Sequence, residues 1–165
     1  MILRFKAIFV VLFLCSCSKK IDFVPSPSSF IRDLSISLYE SNKIRWRLNC
    51  QNAELNEQQN TLKCYIADIL TYSNGNISSD MKAEIGYADL REKLFFLKGN
   101  AQVFSRIQNA KVISEKIYFN YQNNTIYSDT NTIIFKDNIK TESEGFEAKS
   151  NLSNIKIKKH RTTIE

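Results

Sequence analysis

The sequence is poor in the residues that mark repetitive or disordered chains. Only four glycines and two prolines occur among its 165 residues, while 43% of the residues are hydrophobic and 24% are charged. This composition excludes collagen-like and low-complexity chains and predicts a folded protein. The length favours one domain with a substantial apolar core. A formal net charge of +6 is mildly basic and does not by itself indicate nucleic-acid binding.

The sequence also lacks the motifs of common catalytic and metal centres. It has no G-x-S-x-G, H-E-x-x-H, P-loop or G-x-G-x-x-G pattern, and no zinc-type cysteine spacing. The single histidine, His160, lies in a basic stretch at 156–161, so one chain cannot build a histidine cluster. That stretch is a candidate contact for nucleic acid, but the export predicted below argues against this reading. We therefore expect no enzyme activity, no catalytic residue, no metal and no cofactor.

Long apolar runs are missing except at the N-terminus. Ala7–Leu14 is an unbroken run of eight apolar residues behind the basic segment Met1–Lys6. A membrane-spanning helix needs about 20 apolar residues, so this run fits the core of a secretory signal instead. The next residues, Leu14-Cys15-Ser16-Cys17, resemble a bacterial lipobox. We expect a signal peptide at 1–16 and a lipidated Cys17; the alternative is an uncleaved N-terminal anchor.

The segment after Cys17 is predicted to be a tether. Pro25 and Pro27 stand among serines with little apolar content, and such segments stay extended and solvated. The predicted organisation is therefore a lipidated cysteine and tether at 17–29, followed by one folded domain at 30–165.

The body of the chain alternates between apolar and polar residues with the period of a β-strand. Ile44–Cys50 places Ile, Trp, Leu and Cys on one face, and Ile117–Tyr121 follows the same pattern. Polar turn signals, including Lys98-Gly99-Asn100, separate such segments. Leu94–Phe104 is also similar to Thr125–Phe135, which predicts a repeated strand-turn-strand hairpin. These patterns predict an all-β sandwich or roll without βαβ units.

Two cysteines, Cys50 and Cys64, remain in the predicted domain. Outside the cytoplasm an even number of cysteines permits a disulfide, and a hairpin turning at Asn56–Asn60 would bring this pair together. On the entropic account such a bond is worth roughly 3 kcal/mol. The alternative is two buried free thiols.

Apolar and aromatic side chains on the predicted strands have two interpretations. They either form a packed β-core, or they line a groove between two sheets that holds acyl chains. We expect seven residues to face a lipid in the interior, because each lies on the apolar face of an alternating strand or at the closing turn. They are Trp46, Leu48, Phe96, Ile117, Phe119, Ile134 and Phe146. A slip of one residue would invert the face of any of them.

The order of these landmarks resembles the LptC family, the periplasmic bridge proteins of lipopolysaccharide export. The similarity covers roughly residues 41–157 and rests on the order of several segments: Trp46-Arg47-Leu48 with Ala53-Glu54-Leu55, Ala88-Asp89-Leu90, Leu94–Val103, Ile113–Phe119, Ile126–Asp129, and Gly145–Ala148 with Asn151-Leu152. Two features depart from the family. Lys136-Asp137-Asn138 stands where a glycine is frequent, and a lipidated Cys17 would replace the transmembrane helix of many relatives.

The resemblance implies a twisted, open β-jellyroll of two facing antiparallel sheets. It implies a non-enzymatic carrier that accepts lipopolysaccharide or a related glycolipid from an inner-membrane ABC transporter. The carrier would pass this cargo to an LptA-like periplasmic jellyroll by pairing of edge strands. We expect the C-terminal strand at 151–159 to be the donor edge, on a protein held at a membrane in the periplasm by its N-terminal lipid.

Two other functions stay open on the sequence alone. The first is a structural surface lipoprotein whose β-sandwich has a dry core and binds protein partners. The second is a hydrolase with an unrecognised site, although no set of residues motivates it.

Overall fold

A computed structural model describes residues 29–164 of the chain, and these residues form strands and turns without a helix. The strands are antiparallel and belong to one sheet. They are β1 (Ser29–Glu40), β2 (Lys43–Asn56), β3 (Thr61–Ser73), β4 (Asn76–Asp89), β5 (Leu94–Ser105), β6 (Ala110–Asn120), β7 (Thr125–Ser128), β8 (Thr132–Lys136), β9 (Ile139–Ser143), β10 (Phe146–Lys149), β11 (Lys156–Ile157) and β12 (His160–Ile164).

The sheet is folded in half along a line that crosses every long strand. Pairing is interrupted at Asp33 in β1, at Ile66 in β3, and at Gly99 and Asn100 in β5. These four residues have positive φ angles, so the backbone bends where the ladder breaks. We call this line the crease.

Beyond β6 the crease divides the strands completely. The first part of β6 pairs with β8 and its last part pairs with β7, so the sheet forks. One branch continues through β8, β9 and β12, and the other through β7, β10 and β11. We call the part that contains Trp46 and the β8 branch half 1, and the part that contains Phe95 and the β7 branch half 2.

The sheet can fold because small residues line its inner face at the crease. Ala67, Ala83 and Ala101 are buried there, close to Gly86. A Cβ atom added to Gly86 would lie 2.9 Å from the Cβ of Ala67, so even one methyl group would push the strands apart. Larger apolar residues lie farther from the crease, and the two halves enclose them as one core.

The all-β jellyroll prediction is confirmed, and its two facing sheets are the two halves of one folded sheet. The two similar segments do not form the predicted strand-turn-strand hairpins. Leu94–Phe104 lies within the single strand β5, and Thr125–Phe135 comprises β7 and β8. Both segments run from half 2 across the crease into half 1, so the polar residues between their apolar parts mark the crease. The turn predicted at Lys98-Gly99-Asn100 is therefore wrong.

Candidate functional site

The candidate site is the interior between the two halves, where aromatic rings meet across the fold. Trp46 in half 1 contacts Phe95 of half 2 edge to face, with ring centroids 5.0 Å apart. Tyr121 lies 5.2 Å from Trp46 and 5.3 Å from Phe95. Phe119 stacks beside Phe95 at 5.9 Å. The rings of this cluster join the two halves by apolar contact. An acyl chain could replace contacts of this kind.

Six of the seven predicted interior residues lie on this inner face. Trp46, Leu48, Ile117, Phe119, Ile134 and Phe146 are all buried, with exposed fractions of 5% or less. The ladder explains their common face, because residues directly opposite each other on paired strands point to the same side. Phe119 is opposite Phe95, and Ile117 is opposite Leu97.

Phe96 is the exception, and its predicted interior position is wrong. It lies on the outer face, in a row of stacked rings formed by Tyr87, Phe96, Tyr118 and Tyr127. The neighbouring residues Phe95 and Leu97 take the inner positions. Leu94–Leu97 is apolar on both faces, so alternation alone could not decide which phenylalanine points inward.

Sequence reasoning missed several inner residues. Phe95, Leu97, Ile126 and Leu152 are essentially unexposed. Cross-strand pairing with Phe119 or Ile117 identifies the first three, but it requires a register that the sequence does not give. Leu152 lies in the loop between β10 and β11, in a left-handed conformation with φ of 56°, and no strand pattern marks it.

Polar bonds hold the rims of the two halves together, along a line that we call the seam. The hydroxyl of Ser79 in half 1 donates to the backbone carbonyl of Ser150 in half 2 at 2.7 Å. The hydroxyl of Ser105 donates to the carbonyl of Asn151 at 2.6 Å. Both acceptors belong to the loop that carries the buried Leu152. The seam therefore closes the interior with a few hydrogen bonds rather than with continuous strand pairing.

Burial changes the pKa values of Tyr121 and Asp68. Burial raises the pKa of the Tyr121 hydroxyl, and the negative charge of Asp89 adds to this effect. Burial also raises the pKa of the Asp68 carboxyl, and Lys82 on the neighbouring strand opposes the change. The indole Nε1 of Trp46 is a buried donor that has no hydrogen-bond acceptor among the described residues.

Cys50 and Cys64 are joined by a disulfide, with their Cα atoms 5.3 Å apart. They are not directly opposite each other, because Cys50 pairs with Ala67 and Cys64 pairs with Ala53. The bond therefore runs diagonally between β2 and β3 and crosses the crease. It links the two halves covalently at the crease. Among the described residues, no covalent bond crosses the seam.

Comparison with known proteins identifies the family. A sequence model described as "Lipopolysaccharide-assembly, LptC-related" matches residues 25–165. The chain belongs to the LptC-related family. Among solved structures it is similar to LptH, described as the LptA-homologous periplasmic component of the lipopolysaccharide transport device from Pseudomonas aeruginosa. The TM-score is 0.59 at 11% identity, covering 73% of this chain and 94% of that one. No curated protein matches the sequence.

The LptC-related assignment supports several sequence-based expectations. LptC-related proteins are transport bridges rather than enzymes, so this chain is not an enzyme. The family and the fold support a periplasmic bridge component of lipopolysaccharide transport. The predicted signal peptide, Cys17 and nearly all of the tether lie outside the described residues. Across residues 29–164, no helix has the length and apolar character needed to span a membrane.

The predicted donor edge at 151–159 needs correction. Most of that segment is a loop, and it contains only the two-residue strand β11. The continuous C-terminal strand of this LptC-related chain is β12, which pairs with β9 through five residues. The prediction failed because the alternation in Ile155–Lys158 continues up to the crease, where the backbone turns at Lys159 with φ of 37°.

Proposed function

We propose that this LptC-related protein carries lipopolysaccharide or a related glycolipid through the periplasm, with the acyl chains held between the two halves of the sheet. It accepts the cargo from an inner-membrane ABC transporter and passes it to an LptA-like jellyroll. The observation that carries the proposal is the apolar, aromatic interior enclosed by an unclosed sheet. Such an interior shields acyl chains from water by the hydrophobic effect alone, without chemical turnover.

Entry of an acyl chain requires the halves to part. The interior is filled by the protein's own side chains, since Phe119 and Leu97 are 0% exposed. The crease is held by the disulfide and by close-packed small residues, whereas the seam is held by hydrogen bonds such as that of Ser79 to Ser150. We therefore propose that the seam opens while the crease stays fixed.

Transfer to a neighbouring jellyroll would use the free edges of the sheet. The forked sheet has three ends: among the described strands β1 pairs only with β2, β11 only with β10, and β12 only with β9. Unpaired edges are the usual sites of strand addition. We propose β12 as the donor edge, so that the interior of this protein continues into that of its partner. Lys158 and Lys159 beside it would discourage indiscriminate pairing.

A lipid on Cys17 would anchor the protein at a membrane. A single acyl chain binds membranes only marginally, whereas the diacylglycerol of a bacterial lipoprotein supplies more than one chain. The dozen residues before β1 would then let the domain reach its partners.

The filled interior also favours a second function, a structural lipoprotein with a permanently dry core that binds protein partners. In that case the aromatic contacts of Trp46 serve stability only. A cross-linking experiment separates the two functions.

We expect a photo-reactive benzoylphenylalanine at Phe119 to cross-link to lipopolysaccharide when cells that make the variant are irradiated. Phe119 is fully buried in the interior and stacks beside Phe95, so an acyl chain between the halves would lie close to it. The adduct is measured as a shifted band that reacts with antibodies against both the protein and lipopolysaccharide.

The matched control is the same substitution at Phe96, which lies one strand away on the outer face. This variant should give no adduct above background. Equal labelling at both positions, or no labelling at Phe119 in a folded variant, would refute acyl binding in the interior and favour the structural lipoprotein.

A further inference from the structure

A cavity lies at the seam, between the rims of the two halves. This cleft has a volume of about 470 Å³. One wall comes from half 1, through the start of β2 and the turn between β3 and β4. The other wall comes from half 2, through Asn124 and the loop at 149–153. The buried Ser78 and Ser150 form part of its lining, and Trp46 follows directly after the lining residue Arg45. We call this cavity the seam cleft.

The seam cleft is lined by positive charge. Lys43, Arg45 and Lys149 contribute to its lining, and none of its described lining residues is acidic. Arg45 is paired with Glu40 at 3.3 Å, but both side chains are largely exposed, so this pair neutralises the cleft only weakly. The ammonium group of Lys149 donates to the backbone carbonyl of Asn123 at 3.3 Å. Lys43 forms no ion pair with any residue that the structure describes.

The remaining lining is polar and leaves room for a ligand. Asn124, Asn151 and Ser153 provide amide and hydroxyl groups on the half 2 wall. On the half 1 wall, Gly75 faces open space, because an added Cβ atom would have no neighbour within 4 Å. Cations combined with neutral hydrogen-bonding groups suit a phosphate, whose oxygens accept several charge-assisted bonds at once.

We propose that the seam cleft holds a phosphate group on the sugar head of the cargo while the acyl chains lie between the halves. This inference rests on the proposed function and adds the chemistry of the head group to it. An amphiphile with its chains at Trp46 and Phe95 leaves its polar end at the seam, where Lys43 and Lys149 lie on opposite walls. The phosphate would then bridge the walls of an opened seam.

Binding of two forms of one lipid tests this inference. Full-length protein in detergent micelles is titrated with fluorescent lipopolysaccharide, and separately with the same lipopolysaccharide after chemical removal of its phosphates. We expect the phosphorylated form to bind about tenfold more tightly. The double variant Lys43→Gln/Lys149→Gln should bind both forms alike, because it loses one cation from each wall of the cleft.

The matched control is Lys98→Gln/Lys116→Gln. These lysines are directly opposite each other on β5 and β6 and are not among the lining residues of the cleft, so the variant loses the same charge elsewhere. It should keep the tenfold preference. If Lys43→Gln/Lys149→Gln keeps the preference, the phosphate does not bind in the cleft. If the preference falls equally in the control, general electrostatic attraction accounts for it. Either result would overturn the inference.

Two further outcomes separate this inference from the proposed function. Equal binding of both lipid forms by the unmodified protein would overturn the head-group site and leave acyl binding standing, whereas binding of neither form would overturn both. Inorganic phosphate serves as the probe for a free anion. It should compete only weakly, and full displacement of the lipid by phosphate alone would assign the cleft to a free anion instead.

Discussion

Replacing Trp46 with alanine should lower the free energy of unfolding by about 3–5 kcal/mol. Trp46 is 95% buried, packs edge to face on Phe95 and also contacts Tyr121, so its removal leaves a cavity between the two halves. A domain of ordinary stability, about 5–15 kcal/mol, would then retain little margin. The measurement is urea unfolding followed by circular dichroism, because Trp46 is the only tryptophan and its fluorescence is lost with it.

The matched control is Trp46→Phe. The indole Nε1 has no acceptor among the described residues, so removing it breaks no hydrogen bond, while the phenyl ring keeps most of the contact with Phe95. We expect this variant to lose less than half of what the alanine variant loses. Equal losses would contradict the packing account and would mean that the N–H group has an essential partner.

The second large effect is expected for Gly145→Ala, at about 3 kcal/mol or more. Gly145 lies where the chain crosses the crease between β9 and β10, with φ of +136°, a conformation that other residues rarely adopt. A Cβ atom there would also lie 2.6 Å from the backbone carbonyl oxygen of Ser128. The strain of the backbone conformation and the clash with the Ser128 carbonyl therefore both destabilise the variant. Its midpoint of thermal unfolding should be markedly lower than that of the unmodified protein.

Gly75→Ala separates the two causes. Gly75 also has a positive φ of +81°, but an added Cβ would have no neighbour within 4 Å. Only backbone strain remains there, so we expect a loss of about 1 kcal/mol. If Gly145→Ala is no more damaging than Gly75→Ala, the close approach to the Ser128 carbonyl adds nothing to the backbone strain.

The strands were predictable from the sequence because their chemistry is local. Ile44–Cys50 alternates between the two faces, and the structure gives β2 the matching pattern of buried and exposed residues. The crease was not predictable. Ile66, a β-branched residue, takes a positive φ of 54° there, against its own local preference. Burial of the two halves against each other imposes that conformation, and it acts between residues far apart in the sequence.

The candidate site was predictable only in part, for the same reason. Trp46 and Leu48 have one apolar and one polar face in their strand, so their inward direction follows from alternation. Phe95 and Phe96 have apolar residues on both sides, and only the pairing of Phe95 with Phe119 decides between them. The seam cleft joins segments such as 43–45 and 149–153 that only the folded sheet brings together.

We propose that lipopolysaccharide parts the two halves at the seam. The test is the distance between spin labels attached through ketone-bearing amino acids at Asn76 in half 1 and Gln122 in half 2. Both positions are exposed, and this chemistry leaves the cysteines untouched. Addition of lipopolysaccharide should lengthen the distance by about 4 Å or more, the contact diameter of one carbon chain. An unchanged distance with lipopolysaccharide bound would mean that the halves do not part at the seam.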